Sequence, residues 1–186
     1  PIIILESYDY GGEAVRGGKE FDLTMNFRNT SRTLSIDNAL IKVSAVTNDA
    51  GAGAAFTPAN SSSTFYIESI APGQSAQETI TLLPKADAEP NSYSMQVTFD
   101  YVYGKDHTSA TDSVTFSIPL TQEDRFTVTL GEIYGPVMVG DSVSLSANYV
   151  NQGKSTIYNL SVAVEGNFTA LDGSTSYIGN VQTGTG

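Results

Sequence analysis

The sequence predicts an all-β protein made of tandem two-sheet sandwich modules, the second of them incomplete. Apolar and polar residues alternate along several stretches, while no helix-length window keeps an apolar i, i+3, i+4, i+7 face. Turn-rich pieces separate the alternating stretches at short intervals. The C-terminal part of the chain also repeats the N-terminal part over two separate stretches.

The elements follow in order. A mostly apolar run over residues 2–8 is expected to form the first strand. Over 21–27, Phe21, Leu23, Met25 and Phe27 fall on one face and Asp22, Thr24 and Asn26 on the other, as in a strand with one buried and one solvated side. Strands over 39–46, 64–67 and 77–82 come next. The clearest lies over 93–103, where Tyr93, Met95, Val97, Phe99, Tyr101 and Tyr103 oppose Ser94, Gln96, Thr98 and Asp100. The last sets Val114, Phe116, Ile118 and Leu120 opposite Thr115, Ser117 and Pro119, and Pro119, with no N–H to donate, marks a strand end or an edge. About seven strands before residue 121 suit a β-sandwich. Residues 48–63, rich in Gly, Ala, Ser and Asn, are expected to form a mobile loop that packs no core.

The repeat sets the domain boundaries. The run Val15-Arg16-Gly17-Gly18-Lys19-Glu20-Phe21-Asp22-Leu23-Thr24 aligns with Val137-Met138-Val139-Gly140-Asp141-Ser142-Val143-Ser144-Leu145-Ser146, and Asn29 then falls on Asn151 without a gap. Ser63-Thr64-Phe65-Tyr66-Ile67 aligns with Ser174-Thr175-Ser176-Tyr177-Ile178, and Gly73 with Gly184. One module is expected over 1–121 and a second over 122–186. Residues 74–119, with the last three strands of the first copy, have no counterpart after Gly184. The second module is therefore expected to be completed either by further residues or by strand exchange with a neighbouring chain.

Charge and composition narrow the function classes. Twenty acidic residues against nine Lys and Arg give a net charge of −11, which argues against nucleic-acid or anionic-membrane binding. With no cysteine, disulfides, thiolate metal sites and cysteine nucleophiles are excluded together. No stretch reaches the length of a membrane span, so no direct membrane insertion is expected of these residues.

The glycine turns (Gly18-Lys19, Gly140-Asp141), each followed by an alternating strand that ends in asparagine (Asn29, Asn151), resemble bacterial immunoglobulin-like repeats. The resemblance is to the cell-adhesion-related (CARDB) domain found in bacteria and to S-layer-like modules. Tyr149-Val150-Asn151-Gln152-Gly153 fits that family's phrase, whereas Phe27-Arg28-Asn29-Thr30-Ser31 lacks its glycine. Tyr93 stands two residues before Met95, where immunoglobulin domains place a corner tyrosine before the strand F cysteine.

No reactive constellation emerges. His107 is the sole histidine and lies in a polar hairpin connection with no nucleophile elbow, so no catalytic residue is assigned. Gly51-Ala52-Gly53-Ala54-Ala55-Phe56 lacks the third glycine and the strand-to-helix setting of a dinucleotide loop. Calcium is the cofactor best suited to the acidic residues, with candidate oxygens on Asp100, Asp106 and Asp112 around the last hairpin and on Glu123 and Asp124 in the linker. Candidate ligand contacts are Tyr8, Tyr10, Tyr101 and Tyr103, placed toward strand ends where amphipathic rings can meet a glycan or a peptide.

The resemblance and the composition together imply a non-catalytic structural or adhesion module of a bacterial secreted or cell-surface protein. It would act as spacer or interaction scaffold, its partner a protein or a cell-wall glycan. The alternatives are a ligand-binding module for a glycan or extended peptide, and an accessory domain of a secreted enzyme.

Overall fold

The computed structural model of the chain describes residues 3–46 and 54–186. They form two compact units, Pro1–Thr121 and Gln122–Gly186.

Unit 1 contains β1 (Ile3–Asp9), β2 (Val15–Arg16), β3 (Phe21–Asn29), β4 (Ile36–Ala45), β5 (Phe56–Pro58), β6 (Thr64–Ile70), β7 (Ser75–Pro84), β8 (Asn91–Tyr103) and β9 (Thr108–Thr121). One sheet has the order β1-β3-β7-β5 and the other β2-β9-β8-β4-β6. All pairings are antiparallel except that of β2 with β9. With β1, β3 and β7 in one sheet and β4, β8 and β9 in the other, unit 1 is an immunoglobulin-like β-sandwich.

Alternation explains the core. Leu23, Met25 and Phe27 of β3 and Ile80 and Leu82 of β7 are buried in one sheet, and Ile41, Met95, Val97, Phe99 and Ile118 in the other. Phe27 meets Phe99 edge to face with ring centroids 5.4 Å apart, joining the centres of the two sheets. Each such fully buried side chain contributes about 1.5–3 kcal/mol relative to exposure. At the corner leading into β8, the Tyr93 hydroxyl donates to the Glu89 carbonyl at 2.8 Å, and Met95 is buried two residues on. This is the tyrosine corner of immunoglobulin domains.

Two short strands escape the sequence pattern, and one of them corrects the reading of 48–63 as a loop without core contacts. Residues 48–53 of that stretch, with most of the Gly-Ala run, lie outside the described residues. Beyond them, Ala55 and Phe56 are buried, and β5 pairs with the end of β7. The Phe56 ring packs edge to face on Phe21 at 5.7 Å and on Tyr93 at 6.0 Å. One aromatic thus anchors a stretch whose average composition is polar and small. Pro119 is accommodated because β9 has a strand neighbour on one side only until Leu120 and Thr121 meet β2.

Unit 2 contains β10 (Phe126–Leu130), β11 (Ala147–Asn151), β12 (Ile157–Ala163) and β13 (Thr175–Val181). They form two two-stranded antiparallel sheets, β10-β11 and β12-β13. These pairings repeat β1 with β3 and β4 with β6, in the same order along the chain. The turns repeat as well: Lys19 N–H donates to the Arg16 carbonyl at 3.2 Å and Asp141 N–H to the Met138 carbonyl at 3.0 Å, next to Gly18 and Gly140 at φ 72° and 98°. Such positive φ angles favour glycine because a Cβ would crowd the backbone.

The deepest correspondence is polar. Asn29 and Asn151 are the buried polar residues of the two units among the described residues. The Asn29 amide Nδ2 donates to the Leu34 and Ile70 carbonyls at 2.9 Å each, and its Oδ1 accepts from Ser31 N–H at 2.9 Å. The Asn151 Nδ2 donates to the Ser155 and Val181 carbonyls at 2.8 and 3.0 Å, and its Oδ1 accepts from Gly153 N–H at 3.0 Å. Backbone bonds match too, with Gly73 N–H on the Asn29 carbonyl and Gly184 N–H on the Asn151 carbonyl. Fully satisfied, each carboxamide is tolerated where an unpaired one is costly.

Candidate functional site

Burial sorts the four candidate tyrosines. Tyr8 on β1 packs its ring on Phe116 of β9, centroids 4.5 Å apart, and its hydroxyl donates to the Ser117 carbonyl at 3.3 Å. It therefore closes the side of the sandwich while leaving part of the ring in water. Tyr10 stands 6.2 Å from Tyr8 and its hydroxyl donates to the Glu13 carbonyl at 3.4 Å. Tyr101 is only 3% exposed and belongs to the core, while Tyr103 packs against it with centroids 6.3 Å apart. Its interior position leaves Tyr101 no face for a ligand in this conformation. The Tyr101 hydroxyl donates to Asp112 Oδ2 at 2.6 Å. Burial first, and this bond second, push the phenol well above its ordinary range.

The acidic candidates are dispersed. Asp112 is taken up by Tyr101, and Asp100 Oδ1 accepts from the Thr111 hydroxyl at 2.7 Å. Asp106 is exposed in the turn between β8 and β9, and Glu123 and Asp124 lie in the connection that opens unit 2. Among the described residues, no three His, Asp or Glu side chains stand close enough together to hold a metal ion. His107 occupies the same β8–β9 turn at φ 48°, and its N–H donates to the Gly104 carbonyl. Among the described residues, no helix is long and apolar enough to cross a membrane.

Three features were not singled out from the sequence. At the end of β3, a shallow groove of about 510 Å³ is lined by Arg28, Asn29, Arg32, Pro72 and Gly73, among others. At its side, Arg28 pairs with Glu6 at 2.8 Å, and Glu6 is the extra residue of a bulge in β1. The bulge turns Glu6 toward both Arg28 and the Ser75 hydroxyl, which donates to it at 2.8 Å; the Ser75 bond first and Arg28 second hold the carboxyl below its ordinary value.

The second feature is an exposed tyrosine present in both units. Tyr66 is 60% exposed and Tyr177 69%. Their hydroxyls donate to Asn38 Oδ1 at 2.6 Å and to Asn159 Oδ1 at 3.0 Å. Both asparagines have positive φ, 52° and 55°, and both lie where the register of β4 or β12 shifts. The alignment of Tyr66 with Tyr177 was the available signal, but the bulge that brings each asparagine beneath its tyrosine has no mark in a strand pattern.

The third is the apolar surface of unit 2. Leu145 is 53% exposed, whereas Leu23, its counterpart in the repeat, is 0% exposed. Val143, Val150 and Val164 are exposed as well.

No protein-family model matches the chain, and no curated protein matches it. Among solved structures, the chain is similar to trypsin-activated alpha-2-macroglobulin from Escherichia coli, with 13% identity over 92% of this chain and a TM-score of 0.48. It spans 9% of that protein. Similarity also extends to the CsuC-CsuE chaperone-tip adhesion subunit pre-assembly complex of Acinetobacter baumannii, with 11% identity, 96% of this chain, 84% of that one and a TM-score of 0.29. The class 5 fimbriae chaperone CfaA shows 8% identity, 96% and 83% coverage and a TM-score of 0.26.

Proposed function

We propose that the chain is a non-catalytic structural and adhesion module of a bacterial secreted or cell-surface protein, of the cell-adhesion-related immunoglobulin-like repeat type. Unit 1 serves as a load-bearing spacer. The observation that supports this most directly is the parallel pairing of β2 with β9, in which Val15 stands opposite Leu120 and Arg16 opposite Thr121. Gly17 N–H donates to the Thr121 carbonyl at 3.0 Å, and the Thr121 hydroxyl donates to the Val15 carbonyl at 3.3 Å. The early strand of the unit is thus tied to its last strand. Opposite pulls on the two ends of a parallel pair load it along the strand axis, so its hydrogen bonds must yield together rather than one after another.

Single-molecule pulling on the whole chain tests this. Unit 1 is expected to resist and then yield in one event, releasing a contour length of roughly 400 Å at about 3.3–3.6 Å per residue. Extension that rises smoothly with no discrete event would overturn the spacer reading.

A second reading, a ligand-binding module for a glycan or an extended peptide, draws support from Tyr66 and Tyr177. Each exposed ring is held in place by an asparagine beneath it, which lowers the entropy cost of a contact. A glycan or peptide array that finds a saturable ligand, with binding abolished by Tyr66→Ala plus Tyr177→Ala, would favour it. An array with no saturable ligand, or binding untouched by the double variant, counts against it.

A further inference from the structure

Unit 1 shows what covers the positions that unit 2 leaves open. In unit 1, β7 lies along β3 and β8 along β4, with β9 beyond β8. In unit 2, β11 pairs only with β10, and β12 only with β13. Apolar residues exposed just before β11 and just after β12 stand where unit 1 has core: Leu145 matches Leu23, and Val164 matches Val43. Unpaired strand edges beside an apolar face are templates for further strands.

The backbone also shows from which side such strands enter. Asn29 N–H donates to the Gln74 carbonyl at 3.0 Å, one step ahead of the β3–β7 ladder, whose first pair is Arg28 with Ser75. Asn151 N–H donates to the Thr185 carbonyl at 2.9 Å, and Gly186 lies against the Tyr149 carbonyl and Val150. Thr185 and Gly186 therefore occupy the places of Gln74 and Ser75, on the open edge of β11. A second copy pairing edge to edge with β11 would have to displace them.

We propose that unit 2 takes up a three-stranded antiparallel segment along the free edges of β11 and β12, entering in continuity with Gly186. Its first strand runs antiparallel to β11 and its second antiparallel to β12. Both carry apolar residues at every other position, as Ile80 and Leu82 do in β7 and Met95, Val97 and Phe99 do in β8. The inference is independent of the spacer reading, because it concerns what closes unit 2 and not what unit 1 bears.

The test extends the full chain at Gly186 with a copy of its own residues 76–121, which supply strands of this kind. Amide hydrogen exchange is then compared with that of the unextended chain. Protection at Ala147, Tyr149 and Ala163, whose N–H groups face the open edges of β11 and β12, is expected to rise by about tenfold or more, with the extended chain still monomeric, as these amides pass into paired strands. A second extension, with the copies of Met95, Val97 and Phe99 changed to Ser, is expected to give no such rise. Protection of β3 and β4, which the extension does not copy, reports in the same samples that unit 1 is folded. Unchanged exchange in unit 2 while unit 1 stays protected overturns the proposal. So does loss of protection from unit 1, or a dimeric unextended chain in which β11 is already protected.

Discussion

The carboxamides of Asn29 and Asn151 make the same three hydrogen bonds in the two units, and in each unit one of them bridges the two sheets. Asn29 lies on β3 of one sheet and holds the carbonyl of Ile70 at the end of β6 in the other. Asn151 on β11 holds the Val181 carbonyl at the end of β13. Because the β10-β11 and β12-β13 pairs belong to separate sheets, this one side chain fastens the halves of unit 2 to each other.

Replacing Asn29 by Leu is expected to strand the Leu34 and Ile70 carbonyls and the Ser31 N–H. Each buried group left unpaired costs about 1–3 kcal/mol, so the loss in unit 1 should be on the order of 3 kcal/mol, with water relieving part of it. Urea unfolding followed by tyrosine fluorescence reads this as a lower midpoint at unchanged slope. A midpoint equal to that of the parent would show that the bridge is dispensable. Asn151→Leu should act on unit 2 and leave the unit 1 transition where it was.

Glu6 gives the acid limb a definite sign. The Ser75 hydroxyl and the Arg28 guanidinium lower its carboxyl in the folded chain. A lowered folded value means that the contribution is present above the unfolded carboxylate value of about 4.3 and is lost as pH falls through the folded value. Glu6→Gln should therefore slightly lower the melting temperature at neutral and alkaline pH and leave a shallower fall on acidification, the two curves converging in acid. Superimposable acid limbs for the two proteins would contradict the assignment.

Tyr101 has the opposite sign. Burial and the bond to Asp112 favour its neutral form, so the folded chain keeps the phenolic proton to higher pH than the unfolded chain does. Stability should then fall with rising pH above about 10, where the unfolded phenol ionises first. Tyr101→Phe removes that alkaline slope, and it also deprives Asp112 of its donor and so lowers stability at neutral pH. Stability curves from pH 7 to beyond the ordinary tyrosine range, taken on both proteins, separate the two effects.

Alternation made most of unit 1 legible. Leu23, Met25 and Phe27, and Met95, Val97 and Phe99, were placed on buried faces by period alone, because a half-buried strand allows only one arrangement of its apolar residues. Tyr93 was legible through its spacing to Met95. Phe56 was not, since a three-residue strand is too short for any period and its neighbours are small. Nor was Val15–Arg16, whose pairing partner lies at the far end of the unit. Asn29 and Asn151 were aligned by the repeat, yet sequence alone marks them as strand ends rather than as the polar bridge between sheets. Tyr101 differs from its expectation for a related reason: an apolar-face tyrosine near a strand end reads as a ligand contact until the facing sheet covers it.

Asn38 and Asn159 provide the sharpest separation of backbone from side-chain effects. Each has positive φ in a bulge and accepts the hydroxyl of Tyr66 or Tyr177. Asn38→Gly keeps the backbone free to hold that angle and removes only the acceptor, an exposed bond worth about 0.5–1.5 kcal/mol. Asn38→Val removes the acceptor and adds a branched Cβ, which costs roughly 1–2 kcal/mol more in the left-handed region. The valine variant should therefore unfold at clearly lower urea than the glycine variant, and Tyr66→Phe should fall near the glycine variant because it loses only the bond. If valine and glycine prove equally stable, the bulge relaxes to ordinary strand geometry. The exposed tyrosine would then lose the fixed orientation on which its role as a ligand contact depends.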